Sequence, residues 1–159
     1  MSKQPPATSW ASSPAIRRSM RSNRRVDTTP ERRLRSALHA RGLRFRKDYP
    51  VETAERKVRP DVVFTRARVC VFCDGCFWHS CPEHASMPQT NRGFWERKLR
   101  RNRERDQQVD QVLANAGWTV IHIWEHEQPE MAALQIAEIV RSSVRSRATN
   151  ARSPGRVAR

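Results

Sequence analysis

Twelve residues constrain this chain more than any others. The stretch "CDGCFWHSCPEH", positions 73–84, gathers three cysteines, two histidines, two acids and a Phe-Trp pair. Gly75 and Pro82 interrupt regular structure, so the segment has to fold as an irregular loop. Such a loop needs a tie from outside itself. Cys76-x4-Cys81-x2-His84 offers three soft or borderline metal ligands, and zinc would take a fourth. The strand-like run "TVIHIW" supplies one at its end, because His126 follows Trp124 and Glu125 where the chain leaves the sheet. The expected Cys2His2 site would be closed, without redox chemistry, and structural. Cys70-x2-Cys73-x2-Cys76 is a competing triplet. Residues three apart on a strand face opposite ways, however, so Cys70 and Cys73 read better as core fillers. His79 is an alternative fourth ligand, at the expense of crowding Phe77 and Trp78 between two ligands.

The charge points to a partner. Lysine and arginine number 31 against 16 acids, a formal net charge of +15 in 159 residues. That excess favours a polyanion, with nucleic acid first among the candidates. No apolar run approaches the length of a membrane span, and the N-terminus lacks a hydrophobic secretory segment, so an intracellular, cytoplasmic location is expected. In a reducing compartment the four cysteines are expected to bind metal or lie buried rather than form disulfides. Residues 1–15, rich in Ser, Pro and Ala, and 146–159, without apolar periodicity, read as disordered tails around one domain over 16–145. Within it, 16–28 form a basic arm that could order on phosphates.

The domain reads as α-β-β-β-α-β-α. Thr29 is positioned to cap a first helix opened by Pro30, with Leu34, Ala37 and Leu38 on one face and Gly42 ending it. An extended segment follows in "LRFRKDYPV". "RPDVVFTRARVCVFCDG" then predicts a β-hairpin around Thr65, Arg66, Ala67 and Arg68. Trp95, Leu99, Val109 and Leu113 recur at helical spacing in a long basic helix over 92–116 that Gly117 stops. After the strand "WTVIHIW", Pro129 opens a last helix with an expected buried stripe of Leu134, Ala137, Val140 and Val144. His122 in that strand and His39 in the first helix are expected to fill structural roles.

Three acids suggest chemistry. Glu31 on the first helix, Asp61 at the head of one hairpin strand and Asp74 at the end of the other resemble the carboxylate arrangement of nucleases that bind magnesium through oxygen for in-line attack on a phosphodiester. Taken alone, Asp61 and Asp74 also fit ordinary strand-boundary roles. His79 beside them could accept a proton from attacking water or orient it, if His126 serves the zinc. Phe77 and Trp78, held on a rigid loop, could wedge between base pairs, an intrusion that a mismatch makes easier.

"RPDVVF", "VFCDGCFWHSCPEH", "FWERKLRRNRERD" and "GWTVIHIWEHE" together resemble the very-short-patch repair (Vsr) endonuclease family, over residues 16–140. The resemblance implies an α/β, PD-(D/E)xK-like (restriction-endonuclease-like) mixed-sheet core flanked by helices, with a structural zinc. It implies a magnesium-dependent enzyme that nicks one DNA strand next to the thymine of a T:G mismatch. Asp61 then matches the catalytic metal-binding aspartate, His79 the catalytic histidine and Glu31 an acid near the metal-bound waters. Phe77 and Trp78 match the intercalating aromatics, and Met20 in the basic arm a wedge from the opposite groove. Lys98 and Asn102 match DNA-contacting positions. The chain departs from the family pattern at Cys73-Asp74, where threonine-histidine is usual. Cys73 can still supply a backbone carbonyl to magnesium, and Asp74 could add a direct ligand. The zinc set of Cys76, Cys81, His84 and His126 also differs in its mixture of cysteine and histidine. The expectation is a monomeric endonuclease acting on mismatched duplex DNA, with other mismatch-repair proteins as further candidate partners. The competing readings are a zinc-stabilised DNA-binding module without catalysis and a restriction-type nuclease cutting matched DNA.

Overall fold

A proline at the second helical position and a threonine before it start the first element. In the computed structural model, which describes residues 27–84 and 86–151, helix α1 spans Thr29–Ala40. The N-terminal tail, Met20 and the basic arm through residue 26 lie outside the described residues. Thr28 rather than Thr29 is the capping residue: its carbonyl accepts the Arg32 N–H at 3.0 Å, and Pro30, which has no N–H, falls where none is needed. At the other end the chain turns at Gly42, whose φ of +73° suits glycine, and the Leu43 N–H closes back onto Leu38 O at 3.1 Å.

The extended segment that follows contains two strands, not one, and a third comes before the hairpin. β1 (Arg46–Lys47) pairs antiparallel with β4 (Val62–Phe64), while β2 (Val51–Glu52) and β3 (Lys57–Val58) form a separate two-stranded ribbon. Asp48, at φ +44°, and Pro50 break the segment between β1 and β2. The Thr53 hydroxyl oxygen accepts the Glu55 and Arg56 N–H groups and holds the tip of the ribbon.

β4 and β5 (Val69–Asp74) make the expected hairpin, with Val62 opposite Val71, Val63 opposite Cys70 and Phe64 opposite Val69. β5 then pairs in parallel with β6 (Thr119–Trp124), from Val69 beside Thr119 to Asp74 beside Trp124. Parallel neighbours need a long crossover, which the long helix α2 (Arg92–Asn115) supplies. The main sheet has the order β1-β4-β5-β6 and is mixed.

Strand alternation divides the core. Val69, Val71 and Cys73 face α1 and α3 (Pro129–Ala151), among Leu34, Leu38 and Ile136; Cys70 and Phe72 face the opposite way, among Val51, Val63 and Leu113. Cys70 and Cys73 are thus the core fillers their spacing suggests. Burial pushes the Cys70 thiol up to about 12, so it stays protonated and inert at neutral pH.

The buried stripe of α3 runs through Ala132, Ala133, Ile136, Ala137 and Val140, with Val144 partly buried. Leu134 was expected in it but is 37% exposed. The alanines at 132, 133 and 137 let α3 approach α1 closely, which turns position 134 outward. The helix also continues through 146–151, part of the segment expected to be a tail. Arg147 explains this by donating to the carbonyls of Ala67 at 3.1 Å and Gly117 at 2.9 Å. No helix among the described residues is long and apolar enough to cross a membrane.

Leu113 is fully buried where α2 meets the sheet. Leu113→Ala is expected to cost about 2–5 kcal/mol of unfolding free energy, measured by urea denaturation.

Candidate active site and metal centre

The parallel pairing of β5 and β6 brings two strand ends side by side. The chain leaving β5 begins the cysteine-rich loop, and the chain leaving β6 continues into Glu125 and His126. The two are stitched together: the Glu125 N–H donates to Asp74 O at 2.9 Å, and the Cys76 N–H donates to Glu125 Oε1 at 2.7 Å. Within the loop the His79 N–H reaches Gly75 O at 3.1 Å and the Cys81 N–H reaches Cys76 O at 2.9 Å, with Ser80 left-handed at φ +57°. This coil folds Cys81 back over Cys76.

As a result Cys76, Cys81, His84 and His126 converge, with one potential ligand atom from each lying within 4.8 Å of the others. Cys76 Sγ is 3.1 Å and Cys81 Sγ 3.8 Å from His126 Nδ1, and Cys81 Sγ is 3.9 Å from His84 Nδ1. Thiolate and imidazole ligands around a tetrahedral zinc stand about 3.3–3.8 Å apart, so the set fits a four-coordinate ion of that kind. Both cysteines are buried and both histidines exposed. His79 takes no part in this group. No other group of three or more Cys, His, Asp or Glu side chains converges this way among the described residues.

On the sheet side of the loop lies an acidic cluster. Asp61, entering β4, accepts the Cys73 N–H at 2.7 Å through Oδ2. Its carboxyl is pushed up to about 6, chiefly by burial and also by the charges of Glu31 and Asp74; the Cys73 N–H and Arg35 pull the other way. Glu31 is 5% exposed and is tied into the start of α1, accepting from the Asp27 N–H at 2.8 Å and the Thr28 hydroxyl at 2.7 Å. Arg35 pairs with Asp27 and lies 3.5 Å from Glu31. The sequence suggested a nuclease acid at Glu31; its oxygens are occupied in capping, while its charge still reaches Asp61.

Asp74, 7% exposed, turns toward α2. Its Oδ2 is 2.6 Å from His122 Nδ1, and its Oδ1 is 3.8 Å from His79 Nδ1. The same His79 nitrogen meets Asp106 Oδ2 at 2.7 Å, and His122 Nε2 meets Asp110 Oδ1 at 2.9 Å. From sequence alone His122 reads as a structural histidine, and Asp106 and Asp110 carry no assigned role. The structure instead joins these residues to the candidate acids. A signal was present, since Asp106 and Asp110 are one helical turn apart and a histidine interrupts an apolar strand, but the pairing of β5 with β6 had to be known to use it. The Asp74 contact pushes His122 up to about 9, against its burial and with help from Asp110. Its stabilising contribution is complete below about pH 6.5 and is lost as pH rises through about 9. His39 stacks on Phe45 at 4.5 Å, the structural role expected of it.

Phe77 and Trp78 are half-buried against Trp95 of α2, with ring centroids at 5.3 and 6.0 Å. Lys98 Nζ lies 5.4 Å from the Trp78 ring, and the Asn102 side-chain amide donates to Trp78 O at 3.3 Å. Both residues suggested for DNA contact therefore brace the aromatic loop. Arg97, Arg100, Arg101, Arg103 and Arg105 of α2 are exposed.

The chain is similar to a known family of DNA nucleases. The family model "DNA mismatch endonuclease Vsr" matches residues 12–84. The type II nicking enzyme V.NaeI of Lentzea aerocolonigenes is 51% identical over 122 residues, covering 76% of this chain and 74% of the relative. The chain belongs to the Vsr endonuclease family. The DNA mismatch endonuclease Vsr of Escherichia coli K12 is 38% identical over 111 residues, covering 68% of this chain and 67% of that protein. The type II nicking enzyme V.XorIIP of Xanthomonas oryzae is 38% identical over 121 residues, covering 73% and 83%. Family membership makes this Vsr-type chain a nuclease acting on DNA, which removes the non-catalytic module from the competing readings.

The raised Asp61 carboxyl has a measurable consequence. The folded chain holds this proton more tightly than the unfolded chain, so stability falls as pH rises from about 4 to about 6 and stays lower above that. Without divalent cation, Asp61→Asn is expected to raise stability at pH 7.5 by on the order of 2 kcal/mol and to leave it nearly unchanged at pH 4, measured by thermal unfolding at both values.

Proposed function

We propose that this chain nicks one strand of duplex DNA next to the thymine of a T:G mismatch by magnesium-dependent hydrolysis, on a restriction-endonuclease-like core. The observation that carries the reading is the half-buried Asp61, whose charge is disfavoured by burial and by two neighbouring acids at the head of the sheet. A site that strains a carboxylate toward neutrality fits one in which a hard cation offsets the charge. Asp61, the Cys73 carbonyl and Asp74 are the oxygen donors that would hold magnesium. When bound, the ion supplies charge neutralisation at the scissile phosphate.

The chain's own residues divide the remaining work. Asp106 at His79 Nδ1 favours the tautomer with its proton on that nitrogen, leaving Nε2 with a lone pair to accept a proton from attacking water. Glu31 contributes negative charge beside the site. The Phe77-Trp78 pair, backed by Trp95 and Lys98, is a rigid wedge suited to unstacking a weakened base step. Met20 would enter from the opposite groove. The exposed arginines of α2 and the +15 charge would meet the phosphates. Zinc at Cys76, Cys81, His84 and His126 would hold the loop that carries both His79 and the aromatics. The relatives named as nicking enzymes support single-strand scission, and the relative named a mismatch endonuclease supports the substrate.

Nicking of a T:G duplex and its matched counterpart, with and without magnesium, tests the proposal. Mismatch-selective scission that requires the ion is expected, vanishing in Asp61→Asn and falling by about 10²–10⁴ in His79→Ala. Equal cutting of the matched duplex would assign a restriction-type activity instead. Atomic absorption is expected to find one zinc per chain, and Cys81→Ser is expected to lose the metal and melt at lower temperature.

A further inference from the structure

His122 is not accounted for by the hydrolytic reading. Its ring is fixed from three sides: Nδ1 on Asp74 Oδ2 at 2.6 Å, Nε2 on Asp110 Oδ1 at 2.9 Å, and its face stacked on Phe72 at 5.3 Å with planes 17° apart. Both nitrogens face carboxylates, which can only accept, so both must carry hydrogen and the ring is a cation. A strand position between Ile121 and Ile123 would suit an apolar side chain without the desolvation that a buried ion pair costs. What the histidine adds is control of Asp74. One oxygen of that carboxylate is committed to His122, and the other, 3.8 Å from His79, is left on the side of the loop.

We propose that His122, braced from behind by Asp110, is a positioning residue that fixes Asp74 so that its uncommitted oxygen serves the divalent cation. The inference rests on the hydrolytic reading above, because it takes Asp74 as a cation ligand. The array crosses three elements, from α2 through β6 to the end of β5, and so references a metal ligand at a strand end to the body of the domain. Without the imidazole, Asp74 loses its anchor and Asp110 loses its cation.

The test uses the zinc-loaded full chain and two readouts: manganese binding followed by electron paramagnetic resonance, and the magnesium concentration giving half-maximal nicking of a T:G duplex. His122→Leu is expected to weaken manganese binding and raise the magnesium requirement by about 10–100-fold, the usual effect of losing a partner of a metal ligand. His122→Gln, which keeps one N–H donor, should recover part of the loss. Asp110→Asn should show a smaller loss in the same direction and serves if the leucine variant does not fold. DNA affinity without divalent cation should stay at the wild-type value throughout. In an Asp74→Asn background, His122→Leu should add nothing further, because both changes act on one carboxylate. Unchanged manganese affinity and magnesium requirement in both His122 variants would overturn the inference. So would an effect equally large in the Asp74→Asn background, which would place the role of His122 in folding. If the wild type binds manganese but does not nick, the hydrolytic reading falls, and the binding series alone decides the role of His122.

Discussion

The parallel pairing of β5 with β6 is the constraint on which the rest of the molecule depends. It sets Asp74 beside Trp124, and therefore Cys76 within reach of His126 although fifty positions separate them in the chain. The same register places His122 diagonally behind Asp74, and α2, the crossover that the pairing demands, carries Asp106 and Asp110 across that face. A register slip of one residue would reverse the side of every β6 side chain and dismantle the Cys/His group and the carboxylate-histidine array together.

Charge at the strand ends is held in tension. Glu31, Asp61 and Asp74 lie near one another in a strongly basic chain, and the described residues do not relieve them with an equal number of buried cations. Arg35 tempers one side and His122 the other, while Asp61 stays against its preference. Natural chains tend to keep such local conflict where function requires it. The neighbouring Cys/His loop is the opposite case, in which ligands buried and exposed in equal number are gathered by ordinary backbone turns.

Much of this was legible in the residues. The hairpin, the long basic helix and the final strand follow from alternation, helical spacing and glycine stops, and His126 could be picked out because a strand end is where a chain can swing over a loop. Three features were not legible. The short strands β1 to β3 carry two residues each, too few for a period, and are defined by partners rather than by pattern. The face of α3 that packs on α1 is hidden at Leu134 because three alanines, weak hydrophobic signals individually, occupy the core side instead. The contacts of His122 with Asp74 and Asp110 are the third. An isolated histidine in an apolar strand is usually structural, and its two carboxylates lie on segments whose proximity only the assembled sheet reveals.

The hairpin of β4 and β5 is local and can form early, but its parallel neighbour is the second-to-last element among the described residues. Long-range closures of this kind are the slow steps of folding. On the ribosome, a nascent chain that has emerged only as far as α2 holds Asp61, His79, Cys76 and Cys81 yet lacks β6, which brings His122 and His126 to them. The Cys/His group and the carboxylate-histidine array can therefore assemble only after β6 has been made, so the candidate site is among the last parts of the domain to close.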